Sequence, residues 1–98
     1  MSDDQQMASL GRLAAERGEV RKQRALRGND VEATAAQLFQ LATRLKSKDF
    51  ESQKLGLQLL REMVAAGTWD RLEEEVSDLI GLTERLVDLD QKAHDAGI

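Results

Sequence analysis

Arg24-Ala25-Leu26-Arg27-Gly28-Asn29-Asp30-Val31-Glu32 is the stretch on which the fold turns. The chain contains no Pro and is rich in Leu, Ala, Glu, Arg and Gln, so it favours helix almost throughout. Punctuation falls to Gly and to the capping residues. Gly28 suits the position just past a helix C-terminus, and Asn29 or Asp30 suits the next N-cap. With Asn29 as the cap, Glu32 stands at the third helical position and completes a capping box. The stretch therefore predicts a break that sets off a separate first helix.

Two more breaks follow. In Lys46-Ser47-Lys48-Asp49, Ser47 or Asp49 can cap. At Gly67-Thr68, Gly67 closes one helix, Thr68 caps the next, and Asp70 favours its first turn. Four helical segments result, at 7–27, 31–46, 50–66 and 69–94. Connections this short make neighbours antiparallel. The predicted class is all-α. Residues 29–98 form a small antiparallel bundle of three core helices with a long C-terminal helix. Residues 7–28 form a basic N-terminal helix or arm, and residues 1–6 are disordered.

The apolar pattern assigns faces. Val31, Ala35, Leu38, Ala42 and Leu45 alternate steps of four and three, with Phe39 and Leu41 beside them. The third segment has an apolar arc of about 220°, from Phe50 through Leu55, Leu57, Leu59, Leu60, Met63 and Val64. That width predicts a central helix packed on both sides. Gly56 within it is expected to mark a close crossing. In the fourth segment, Leu72, Val76, Leu79, Thr83, Leu86, Asp90 and Ala93 keep heptad spacing. Ile80 and Val87 flank it on one side, Leu82 and Leu89 on the other. This helix, about 39 Å long, should overhang the second, about 24 Å long. Leu82, Leu86, Leu89 and Ala93 are then either an exposed interaction surface or the bed on which the first helix folds back. The first helix is poor in large apolar residues. It carries a small-residue seam of Gly11, Ala14, Ala15, Gly18 and Ala25, suited to close approach.

Charge is unevenly spread over the 98 residues. The net value of −4 conceals six cations against two acids from Arg12 to Arg27, and nine acids against three cations from Asp70 onward. A basic front and an acidic back are the main functional clue. They neutralise each other within a protomer, between protomers, or across to a partner. Arg17, Arg21, Arg24 and Arg27 line one face of the first helix. Glu73, Glu74, Asp78 and Asp88 are the acids expected to receive them.

Most chemistry lacks its residues. The chain has no Cys, which excludes disulfides, a thiol nucleophile and cysteine-ligated zinc. His94 is the one imidazole and stands near the C-terminus, where a solvated helix-end role is expected. No serine lies in a nucleophile-elbow motif, and no phosphate-binding glycine motif occurs. The acidic cluster of Glu73, Glu74, Glu75 and Asp78 matches no metal motif and reads as a solvated face. No catalytic residue, cofactor or metal is assigned. The basic stripe would give salt-sensitive nucleic-acid contact, but the protein is acidic and the first helix has no aromatic for stacking. Its opposite face is too poor in large apolar groups for a membrane surface, and no apolar run reaches the roughly 20 residues of a span.

Leu59-Leu60-Arg61-Glu62-Met63-Val64-Ala65-Ala66-Gly67 resembles the end of the first helix of a pentatricopeptide repeat. It has no second copy and lacks the usual Pro, so that family's RNA reading is not carried over. A basic first helix, a helical hairpin and a long last helix are together similar in layout to the small terminases of tailed phages. That resemblance implies an oligomeric DNA-packaging subunit binding through the first helix. The residues themselves favour a non-enzymatic, cytoplasmic helical interaction and assembly module. Its partner is expected to be a protein or a second copy of the chain, with nucleic acid second and no membrane.

Overall fold

The break at Gly28 does not occur. In the computed structural model, which describes residues 3–97 with side chains from Gln5 to Gly97, one helix, α1, runs Asp3–Leu45. Two more follow, α2 over Phe50–Ala65 and α3 over Thr68–Asp95. The chain is all-α, with three helices rather than four and no strand among the described residues. Among the described residues no helix is long and apolar enough to cross a membrane. Asp3 to Gln6, expected to be disordered, are helical; Met1 and Ser2 lie outside the described residues.

Periodicity explains why α1 passes through Gly28-Asn29-Asp30. Leu10, Leu13, Arg17, Val20, Arg27, Val31, Thr34, Leu38 and Leu41 are all buried or half-buried. With Arg24 between Val20 and Arg27, they advance by three and four without interruption. A helical Gly costs about 1 kcal/mol relative to Ala, and Asn and Asp cost less. A break would cost more, because it would lose the phase between Arg27 and Val31. Gly28 accordingly does not share the positive φ of Gly67 and Gly97.

The other two breaks are where local chemistry puts them. Asp49 is the N-cap of α2, its carboxylate accepting from the Glu51 N–H at 3.3 Å. The Ser47 hydroxyl accepts from the Asp49 N–H at 3.1 Å, so both candidate caps act in series. Gly67, at φ 68°, closes α2 by donating to the Val64 carbonyl at 3.1 Å. Its own carbonyl then accepts from the Arg71 N–H at 3.0 Å. Thr68 is consequently the first residue of α3 and buried there, rather than a cap standing before it.

The chain divides into two units. The central unit, Gly28–Ser77, holds the second half of α1, all of α2 and the start of α3. Its buried residues include Thr34, Leu41, Gly56, Met63, Thr68 and Glu75. The buried face of α1 is thus turned toward Thr34 and Leu41, and Ala35, Phe39, Ala42 and Leu45 are exposed. The breadth expected of α2 is only partly used. Gly56 and Met63 are buried and Leu59 and Leu60 half-buried, but Phe50, Leu55, Leu57 and Val64 stay exposed. The close crossing at Gly56 is present. A Cβ there would lie 3.0 Å from Leu45 Cδ2 and 3.1 Å from Arg44 Cβ.

The terminal unit pairs α1 through Arg27 with α3 from Asp78. Val20, Leu89 and Ala93 are buried in it, and Leu10, Leu13, Leu79, Leu82 and Leu86 half-buried. The expected overhang is therefore covered. Having no break, α1 extends about 65 Å at 1.5 Å per residue, longer than the second helix that the overhang assumed. The seam of α3 is also turned from the expected one, toward Leu82 and Leu89 and away from Ile80 and Val87. The small-residue seam of α1 is not used within the chain. Gly11, Ala14, Ala15, Gly18 and Ala25 are exposed, and a Cβ at Gly11 or Gly18 would meet nothing within 4 Å.

Two glycines give opposite tests. Gly28→Ala meets no atom within 4 Å and should stabilise the chain by about 1 kcal/mol in denaturant titration. A true helix stop with positive φ would instead lose stability on the same change. Gly56→Ala should destabilise by about 1 kcal/mol, because Arg44 Cβ is fixed to its own backbone and cannot yield.

Candidate functional site

The four arginines singled out by their spacing all project toward α3 within the terminal unit. Arg17 donates from Nε to Asp90 Oδ1 at 3.0 Å, and its second nitrogen stands 2.9 Å from the same oxygen. Arg21 reaches that oxygen at 3.5 Å. Arg24 donates from Nε to Thr83 Oγ1 at 3.0 Å, and Thr83 in turn donates to the Leu79 carbonyl at 2.9 Å. Arg27 pairs with Asp78 at 3.2 Å. Glu16 pairs with Arg85, reversing the sense of charge across the same two segments. As the α1 residue climbs from Arg17 to Arg27, its α3 partner falls from Asp90 to Asp78.

Seam geometry decides which of these contacts carries weight. Arg17 replaces an apolar residue at a seam position, and its side chain is only 20% exposed. Its methylene stem covers the seam while the guanidinium meets Asp90 at the edge. Arg21 and Arg85 are more than half exposed, and such pairs contribute about 0.2–1 kcal/mol each. The central unit holds a fully covered counterpart. Thr34 donates to Glu75 Oε2 at 3.1 Å, with both residues buried, and Arg71 stands 3.6 Å from the other carboxylate oxygen.

The expected acids divide. Asp78 receives Arg27, and Asp88 pairs along its own helix with Lys92 at 3.1 Å. Glu73 and Glu74 are exposed. Asp90 and Thr83, the principal partners of the basic stripe, were expected as members of the α3 heptad, not as its acceptors. Their signal was a polar residue at a seam position on each helix at once. Leu82, Leu86, Leu89 and Ala93 are not a free contact surface, since α1 covers them.

His94 is exposed. Among the described residues no group of three or more His, Cys, Asp or Glu could hold a metal ion. A shallow groove of about 350 Å³ in the central unit is lined by Gln37, Gln40, Leu59, Glu62, Met63 and Arg71, among others, with no imidazole. No family model, no curated protein and no solved structure matches this chain.

Charge reversal tests the stripe. Asp90→Arg should set three guanidiniums together and destabilise the chain by about 2 kcal/mol in thermal or denaturant unfolding. Adding Arg17→Asp should recover part of that loss. Equal and additive losses in the two single variants and the double would show that Arg17 and Asp90 do not interact.

Proposed function

We propose that this chain is a non-enzymatic helical interaction and assembly module that associates with further copies of itself. One observation carries the reading. Among the described residues eleven large hydrophobic side chains, Phe39, Phe50, Leu55, Val64, Trp69, Ile80 and Val87 among them, are 39–71% exposed, against five buried hydrophobic residues. Exposed apolar area on that scale marks a surface meant for a protein.

The contacts that drive this assembly differ from those expected of the charges. Arg17, Arg21 and Arg27 meet acids of their own chain, so the polarity between the ends serves the antiparallel pairing of α1 with α3. Apolar burial is left to supply affinity between copies. The second reading, a nucleic-acid-associated oligomer, would draw on the same arginines. Their engagement within the chain counts against it, because phosphate contacts by Arg17, Arg21 and Arg27 would have to displace a carboxylate.

Light scattering coupled to size exclusion should return a mass above 10.9 kDa. Raising the salt from low to about 1 M should preserve or strengthen the assembly, because apolar contacts do not screen and exposed ion pairs do. A mass of one chain at every concentration would overturn the proposal. Dissociation by salt would return the role to the charges.

A further inference from the structure

The terminal unit has two unlike faces, and ion pairs mark which residues share each. Arg21 and Asp90 meet on one side. Residues three, four and seven away on a helix share a face. Arg21 therefore shares its side with Ala14, Gly18 and Ala25, and Asp90 shares it with Thr83 and Val87. Ile80 stands one heptad before Val87, and Gly11 one heptad before Gly18. Glu16 and Arg85 meet on the other side. There the same spacing places Arg12, Glu19 and Gln23 on α1 and Asp78, Asp88 and Lys92 on α3. One face is thus charged along its length. The other carries the small and apolar residues, with Ile80 54% and Val87 63% exposed, beside Arg21, Lys22, Glu84, Asp90 and His94, which share it by the same spacing.

We infer that this second face is the seat of a second copy of the chain, related by a two-fold axis running along the helices. The inference rests on the self-association proposed above and names its surface. Charge selects the occupant and the axis. On α1 this face carries Arg21 and Lys22, and on α3 it carries Glu84 and Asp90. An axis along the helices sets α1 of each copy against α3 of the other, so opposite charge predominates in both contacts. An axis across the helices would set α1 on α1 and α3 on α3. Shape agrees as well. Within one chain Val87 lies between the levels of Asp90, which meets Arg17 and Arg21, and Thr83, which meets Arg24. An axis along the helices keeps levels unchanged, so Val87 of one copy faces the Gly18 region of the other, where a Cβ meets nothing within 4 Å. The exposed small residues of α1 then become holes for the branched side chains of α3.

Ile80→Glu with Val87→Glu should weaken the assembly by about 100-fold or more, since each change counts twice in a symmetric interface. Helicity by circular dichroism should hold, because both side chains are exposed within the chain. Leu26→Glu, an exposed apolar residue beside Glu19 and Gln23, should leave the mass unchanged. The natural chain lacks Cys, so mixing separate Gly18→Cys and Val87→Cys proteins under mild oxidation should give mainly the 18–87 mixed disulfide. Predominant 18–18 and 87–87 products would overturn the axis. An assembly unaffected by the two glutamates would overturn the face while leaving self-association intact. A wild-type chain that is a monomer throughout would remove both.

Discussion

Two helices that meet along one seam have no third layer to exclude water, so polar groups placed on that seam govern how they pair. Arg17, Arg24 and Arg27 stand at seam positions of α1, and Asp90, Thr83 and Asp78 receive them from α3. Each pair contributes little stability by itself. Their value lies in what a wrong register would do. Slipping α3 by one heptad in either direction would bring Arg27 opposite Arg71 or Arg85 instead of Asp78. The leucines at Leu79, Leu82, Leu86 and Leu89 would accept such a slip, since one leucine fits another's place. The charges would not.

In this chain α1 is unbroken across Gly28, Asn29 and Asp30. Arg27 and Val31 belong to one three-four progression only if Gly28, Asn29 and Asp30 remain helical. The propensity lost there is of the order of 2 kcal/mol. It is offset by keeping Val31, Thr34, Leu38 and Leu41 in phase with the residues before them. Thr34 in particular meets Glu75 and donates to its buried Oε2. Removing one partner from a buried polar pair costs more than the pair itself contributes.

What the sequence disclosed follows the range of the forces involved. The all-α class, the Asp49 cap with Ser47 behind it, the left-handed Gly67 and the close approach at Gly56 depend on neighbours a few residues away or on one crossing. All could be read locally. The continuity of α1 could not, because Gly28-Asn29-Asp30 satisfies every local rule for a break and is overruled by burial many residues distant. The arginine stripe was visible in its spacing, but its acceptors were not. Thr83 and Asp90 read as flaws in an apolar heptad until a basic residue stands at the matching level of the facing helix. The covered state of Leu82 to Ala93 is the fold-back of the first helix, which the sequence offered as one of two alternatives.

A thin seam also bears on why assembly suits this chain. Val20, Leu89 and Ala93 are the buried hydrophobic residues of the terminal unit, and their number is small for a pair of helices that must order two charged surfaces. Gly11 and Gly18 remove about 2 kcal/mol of helix propensity from α1 and meet no partner within 4 Å in their own chain. Inside a monomer these glycines only weaken the helix. Across an interface they let a second backbone approach closely enough for branched side chains to lodge. A cost taken within one chain and recovered between two would couple the order of the terminal unit to association. The ion pairs of the seam would fix the register of each hairpin beforehand, leaving the face of Gly18 and Val87 to receive the second copy.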